Sequence, residues 1–433
     1  MAAAFAISRA GLLFWYAPHP TDIRIYFGWI VQAAAGRTAF VDFPIEYPPL
    51  AWWVMQVPGT VDRVAYYFRF RALMAAGDIV SFALLAWIVS KRRPSLLTPF
   101  ACLYIGATLI LAHELYDRLD MGVLLFAAVA LAAWLAARPG AKVIRTSALG
   151  QAQGVVSSSN HEGPNVREAT SPNASWWLAG AYVAVGLGTA YNRLPAVVAP
   201  LFLVSELLTR TRFRSVVLRL ALFVGVAVGP VVLTYWRVGR PAFTFLGYHG
   251  ARGLEIGSTW ASVMWLLSLA GYPVEVVIRF GSWELGGEAE AAVSGAASLS
   301  MVLVPSLLAA WALVLRRRFD GERAYAQAAL ALAGVVVVSK VFSPQFLLWA
   351  IPAIALAAVE GCATKLRFLA VGAWLLVCAA LTLLVYEGGG SAELRIMRTW
   401  VMLALLARNV MYVSLWVYLV GALVKRDWGR LRA

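Results

Sequence analysis

Residues 17–50 read Ala17-Pro18-His19-Pro20-Thr21-Asp22-Ile23-Arg24-Ile25-Tyr26 at one end and Asp42-Phe43-Pro44-Ile45-Glu46-Tyr47-Pro48-Pro49-Leu50 at the other. Three carboxylates, Asp22, Asp42 and Glu46, fall in this one short segment. The sequence on either side suits lipid, with apolar stretches near residues 2–17 and 66–90. A polar segment between two such stretches is expected as a loop at a membrane face.

Composition points the same way. The 433 residues are 61% hydrophobic and 14% charged, against about 45–50% and ~25% in a soluble domain. The mean hydropathy is +0.73. Eighteen Trp and 16 Tyr suit rings held at headgroup level. A net charge of +15 could serve nucleic acid. Here the basic residues sit at the ends of apolar runs, which is the pattern of membrane orientation, and no nucleic-acid partner is expected. Cys102, Cys362 and Cys378 lie in or beside apolar runs without metal-ligand or disulfide spacing, and read as small core residues. No cleavable signal is expected.

Apolar runs fall near 2–17, 66–90, 95–115, 121–137, 176–191, 195–209, 215–236, 297–315, 324–341, 345–360, 366–386 and 398–424. Measured against the ~20 residues of a span, they predict one all-α, polytopic membrane domain over residues 1–433 with about twelve transmembrane helices. Basic clusters follow every second boundary: Lys91-Arg92-Arg93, Arg138 with Lys142 and Arg145, Arg210 with Arg212 and Arg214, Arg316-Arg317-Arg318, Lys365 with Arg367, and Lys425-Arg426 with Arg430. The positive-inside rule then puts both termini in the cytoplasm. Residues 18–62 become an outer loop with helices lying along the interface near 22–35 and 48–60. Residues 146–173, rich in Ser, Asn and Gly, read as a flexible cytoplasmic linker. Residues 237–296 form another outer region, with 258–280 an interfacial or re-entrant piece.

Inner boundaries carry mainly Lys and Arg. Outer ones mix signs: Asp22, Arg24, Asp42, Glu46, His113, Glu114, Asp117, Arg118, Asp120, Arg193, His249, Arg252, Glu255 and Lys340. Orientation does not need acids and bases together, whereas a site at the outer face does.

Asp22 is the leading candidate for a general base at the membrane surface; the plainer reading is a loop acid or helix N-cap. Glu46 and Tyr47 are candidates to line a substrate pocket, while Pro48 and Pro49 suit the entry of a helix. In Tyr116-Asp117-Arg118-Leu119-Asp120, carboxylates so near the apolar core are costly unless paired. This turn reads either as an ion cluster around Arg118 or as recognition of substrate hydroxyls and support for the Asp22 loop. Asn192-Arg193-Leu194-Pro195 and Lys340-Val341-Phe342-Ser343-Pro344-Gln345 both interrupt apolar helices, and such breaks are tolerated where they line a cavity. Arg193 and Lys340 there, and Arg252 in Tyr248-His249-Gly250-Ala251-Arg252-Gly253-Leu254-Glu255, are candidate partners for an anionic lipid phosphate. His249 is a candidate hydrogen-bond donor; the plainer reading of this segment is an interface loop with an Arg252–Glu255 pair. Asp78, inside the second run, reads as a structural hydrogen-bonding group. No Gly-Lys-Ser/Thr phosphate loop, His-Glu-x-x-His or Cys-x-x-Cys occurs, so neither a nucleotide motor nor a zinc site is supported.

The run Thr21-Asp22-Ile23-Arg24-Ile25-Tyr26, then Gly36, then Asp42-Phe43-Pro44-Ile45-Glu46-Tyr47-Pro48-Pro49-Leu50, resembles glycosyltransferase family 87, enzymes of the GT-C fold that include phosphatidylinositol-mannoside mannosyltransferases of actinobacteria. Tyr116-Asp117, Arg252-Gly253-Leu254-Glu255 and Phe342-Ser343-Pro344-Gln345-Phe346 are similar to further blocks of that group. The resemblance runs over about residues 1–360. It implies a GT-C-like fold with Asp22 as the catalytic aspartate, and with Arg24, Tyr26, Asp42, Glu46, Tyr47, Asp117, Arg118, Asn192, Arg193, His249, Arg252, Glu255, Lys340 and Gln345 around the substrates. The implied donor is a polyprenyl-phosphate-linked sugar, often mannose, and the acceptor a glycolipid or glycan. Transfer would be inverting, without cofactor or metal, in a bacterial plasma membrane with the site facing outward. Asn192-Arg193 stands where relatives often carry a lysine. A transporter or lipid flippase is the other reading, and it would need matching polar residues in the inner halves of the spans. Apart from Asp78 those halves are poor in acids and amides, which favours the enzyme.

Overall fold

The computed structural model describes residues 1–16, 21–138, 173–208, 211–314, 324–387 and 390–432, the side chains of His249, Gly390, Ser391 and 427–432 excepted. The linker expected over 146–173 lies outside the described residues but for Asn173, as do the basic residues Lys142, Arg145, Arg210 and Arg316–Arg318.

All twelve apolar runs become helices. Helix α1 (Ala2–Ala10) continues through a π-helical turn to Trp15, followed by α2 (Asp22–Ala34), α3 (Pro49–Gln56), α4 (Arg63–Arg92), α5 (Leu97–Ile110), α6 (Ala112–Leu115), α7 (Asp120–Ala136) and α8 (Ala174–Tyr191). Next come α9 (Ala199–Leu208), α10 (Phe213–Val238), α11 (Thr244–Ala251), α12 (Thr259–Leu269), α13 (Glu290–Val314), α14 (Ala324–Val338), α15 (Leu347–Gly361), α16 (Lys365–Tyr386), α17 (Gly390–Leu394) and α18 (Thr399–Arg432). Among the described residues, six helical segments, including α4, α10, α13, α16 and α18, are long and apolar enough to cross a membrane, and six shorter apolar helices accompany them. The chain is a multi-pass helical membrane protein.

Helix ends follow from local chemistry. Asp62 caps α4 by accepting from the Ala65 N–H at 2.7 Å, and Lys91 and Arg92 stand at its other end, where cations suit the helix dipole. Pro49 opens α3 and Thr364 caps α16. The expected interruptions are present. Asn192 is extended after α8, ahead of a 3-10 turn over Leu194–Val198, and α14 stops at Val338 before a 3-10 turn over Pro344–Phe346.

Two polar layers frame the bundle. Arg71 of α4 pairs with Asp117 at one level, and Arg92 of the same helix pairs with Glu360 at the other. They stand about 32 Å apart at roughly 1.5 Å per residue, close to the ~30 Å of a hydrocarbon core. Between the layers lies a deep polar cluster. Asp78, fully buried, accepts from Arg9 Nε at 2.7 Å, from the Tyr104 hydroxyl at 2.7 Å and from the Tyr116 hydroxyl at 2.9 Å. These bonds tie α1 to α4 and satisfy the carboxylate structurally.

The region 237–296 differs from an all-helical expectation. The span of 258–280 is neither one helix nor one re-entrant piece. It holds α12, 11 residues long, and then strand β2 (Val274–Arg279), which pairs antiparallel with β3 (Ser282–Gly287). With β1 (Leu254–Glu255) on the other side of β3 this makes a three-stranded sheet. Positive φ at both Phe280 (53°) and Gly281 (67°) gives the two-residue hairpin turn whose twist matches the strands. Leu254, Ile256, Met264, Leu285, Val401 and Leu405 form a second apolar core that seats this cap on α18.

Candidate active site

At the end of the bundle marked by Arg71, α2, the 46–47 segment, the turn before α7 and the tip of the β2–β3 hairpin enclose one cleft of about 350 Å³. Asp22, Tyr26, Glu46, Tyr47, Arg118, Arg252, Glu255 and Gln345 line it. These residues come from five separate parts of the sequence.

Two adjacent residues hold the Asp22 loop. Asp117 is buried and fork-paired with Arg71 (Nε–Oδ1 2.5 Å, Nη2–Oδ2 3.0 Å), and its Oδ2 accepts the Thr21 N–H at 3.4 Å. Arg118 turns to the other side, where its Nη1 donates to Asp22 Oδ2 at 2.5 Å and its Nε forms an ion pair with Glu114. Asp22 is the first residue of α2, so the helix dipole favours its carboxylate there. Its Oδ1 has no hydrogen-bond partner among the described residues, and the side chain retains 23% exposure to the cleft.

Glu46 stands on the facing wall. Burial raises its carboxyl above the ordinary range, with the nearby Tyr248 opposing that shift. Beside it the hydroxyls of Tyr47 and Tyr26 meet at 3.0 Å. Thr21 Oγ1 and Gln345 Oε1 are buried polar atoms of the cleft wall with no partner among the described residues. Buried groups of this kind are uncommon and call for an explanation.

The third wall comes from the cap. Arg252 lies 3.7 Å from the buried Glu284, whose Oε2 accepts the Gly253 N–H at 3.1 Å. Glu255 lines the cleft, and among the described residues it does not pair with Arg252, contrary to the plainer reading of this segment. Oε1 accepts from the Tyr386 hydroxyl at 2.9 Å and Oε2 from the Phe342 N–H at 3.0 Å, so it pins the cap to the α14–α15 connection and the end of α16. Its own N–H donates to the Lys340 carbonyl. Gly257 belongs to the same junction, where a Cβ would collide with the Tyr386 hydroxyl.

Several expected site residues do not reach the cleft. Arg24 is exposed on α2, outside the lining. Asp42 closes a surface turn instead, with Oδ2 accepting from the Thr38 N–H at 2.6 Å and its carbonyl from Arg37. Asp117 acts from behind, through Thr21. Asn192 and Arg193 stand at the end of α8, and Asn192 Oδ1 accepts from the Leu194 N–H. Lys340 borders a neighbouring cleft of about 310 Å³ that shares Arg252 with the first. His249 lies on α11, its side chain outside the described set.

Other residues join the site without having been assigned to it. His113 Nε2 lies 3.6 Å from Glu114 and 3.7 Å from Glu387. Burial lowers its pKa, against the pull of Glu387, and burial raises that of Glu114. Both stood among the mixed outer charges in the sequence, but their convergence depends on contacts across the chain. Tyr248 packs edge-on against Phe280 at 4.9 Å and donates to its carbonyl at 2.9 Å, locking the hairpin tip over the cleft. Trp283 and Tyr386 complete that wall.

No protein-family model matches the sequence, and no curated protein matches it. Among solved structures, apo ArnT from Cupriavidus metallidurans is similar to this chain over 97% of this chain and 75% of its own, with 17% sequence identity and a TM-score of 0.40.

Proposed function

We propose that this chain is a membrane glycosyltransferase of GT-C type. It moves a sugar, mannose, from a polyprenyl-phosphate donor to a glycolipid or glycan acceptor at the outer face of a bacterial plasma membrane. The observation that carries the reading is the setting of Asp22. This carboxylate has one oxygen held by Arg118 and the other without a partner among the described residues, in a polar cleft. Thr21 Oγ1 and Gln345 Oε1, without partners among the described residues, are acceptors for sugar hydroxyls.

The acceptor hydroxyl gives its proton to Asp22 as its oxygen attacks the anomeric carbon. The bond from that carbon to the phosphate oxygen breaks, and the phosphate leaves with the electron pair from the opposite side, so the configuration inverts. Arg252, on the cleft wall, meets the leaving charge, and Lys340 stands in the adjoining cleft. The energy of transfer is carried in the donor's own phosphate linkage, so the reaction needs no nucleotide.

The test is direct. Purified protein is incubated with polyprenyl-phosphate-mannose and candidate glycolipids, and a hexose gain on the acceptor is followed by mass. Transfer supports the reading. Donor movement across a vesicle bilayer without transfer overturns it in favour of a flippase.

A further inference from the structure

A larger cleft, of about 710 Å³, opens at the opposite end of the bundle, between the end of α15 and the 418–426 stretch of α18. Its wall carries four cations, Arg93, Arg367, Lys425 and Arg426, and one carboxylate, Glu360. Glu360 is already engaged, by Arg92 Nε at 2.8 Å, the Tyr325 hydroxyl at 2.9 Å and Arg426 Nη1 at 3.3 Å. Arg93 is used on the carbonyls that end α15, including those of Val359 and Cys362. Arg367 and Lys425 are exposed, and their side chains have no partner among the described residues. The cleft therefore presents a surplus of positive charge.

An apolar groove of about 260 Å³ adjoins it. The two share Arg367 and Tyr418, and the groove climbs between α16 and α18 past Val371, Trp374 and Leu415. Arg367 and Tyr386, which lines the candidate active site, lie on one helix about 28 Å apart at roughly 1.5 Å per residue. The basic cleft thus sits one hydrocarbon thickness from that site, and the groove runs from it toward the bilayer interior.

Single cations at a helix end are explained by snorkelling. Cations gathered in a concavity that continues into an open apolar groove are not. Free phosphate would leave the groove unused, and a zwitterionic lipid would leave the surplus charge unmet. We infer that this end of the bundle binds an anionic phospholipid, its phosphate between Arg367 and Lys425 and one acyl chain along the α16–α18 groove. The inference is independent of the glycosyltransferase reading.

The full-length protein in detergent is titrated with phosphatidylglycerol or phosphatidylcholine and followed by native mass spectrometry. A phosphatidylglycerol bearing a photoreactive acyl chain maps the contact. The expected result is retention of phosphatidylglycerol over phosphatidylcholine by about tenfold or more, with cross-links confined to residues 370–374 and 414–418. Arg367→Ala with Lys425→Ala should abolish that preference, and exposed Arg24→Ala should preserve it. Both sets of side chains are exposed, so folding is not at stake. Equal retention of the two lipids, or full retention by the double variant, overturns the inference. So does displacement by glycerol phosphate as effective as by the intact lipid, since that would mark a plain phosphate site.

Discussion

Arg118 and Asp22, 96 positions apart in the chain, meet at 2.5 Å between Nη1 and Oδ2. The same guanidinium pairs with Glu114, while the residue before it, Asp117, takes the Thr21 N–H. One turn thus grips the first loop at two successive residues, and Asp22 is positioned from outside its own segment. Removing Arg118 frees the carboxylate to rotate and leaves Glu114 buried beside no cation. Arg118→Ala should lower transfer by up to about 10²-fold, the cost of a small misplacement of a catalytic group. Arg118→Lys, which keeps charge but loses the fork, should recover part of it. Initial rates at saturating donor measure the effect, and wild-type rates in Arg118→Ala would refute the positioning role.

Arg9 and Asp78 form a buried pair, with side chains 4% and 0% exposed. Breaking such a pair strands a charge, at about 3–5 kcal/mol. Arg9→Ala should therefore lower the melting temperature sharply, and Arg9→Ala with Asp78→Asn should restore much of the loss. Thermal unfolding in detergent reads both. Equal melting of parent and single variant would contradict the assignment.

Burial holds the Glu46 proton more tightly in the folded protein than in the unfolded chain. That stabilisation is complete below the unfolded value, about 4.3, and is lost as pH rises through the higher folded value. Glu46→Gln has no such proton to lose. Its melting temperature should match the parent's near pH 4 and gain on it as pH rises toward about 7. A pH-independent difference would mean that Glu46 is not desolvated.

Orientation is tested by single cysteines in a cysteine-free background. A probe at Val41, exposed in the first loop, should react with an impermeant reagent from outside intact cells. A probe at Ala363, exposed at the far end of α15, should react only after permeabilisation. The reverse pattern would turn the candidate site inward.

The helices were legible because a span of about 20 apolar residues is a strong signal. Interruptions at Asn192 and Lys340 were legible through Pro195 and Pro344. The cap sheet was missed. Val274-Glu275-Val276-Val277-Ile278 alternates too weakly to stand out in an apolar region, and Phe280-Gly281 is a sparse turn signal unless read as a two-residue hairpin. Asp22 and Glu46 could be singled out because carboxylates are costly beside lipid. The sequence could not tell which charge meets which. Arg118 is used by Asp22 and Glu114, Glu255 serves Tyr386 and Phe342, and Asp42 closes a turn, because these pairings are set by how distant helices pack. The same limit hid His113 and Glu114.

Asp22 takes the acceptor's proton, and Asp22→Asn removes that one function. Asparagine keeps the size and most of the hydrogen bonding but removes the base. With polyprenyl-phosphate-mannose and a competent acceptor, the initial rate should fall by at least ~10²-fold, while donor binding and melting temperature stay near the parent's. Undiminished transfer by Asp22→Asn would rule out Asp22 as the base and move that role to another carboxylate of the cleft, Glu46 first.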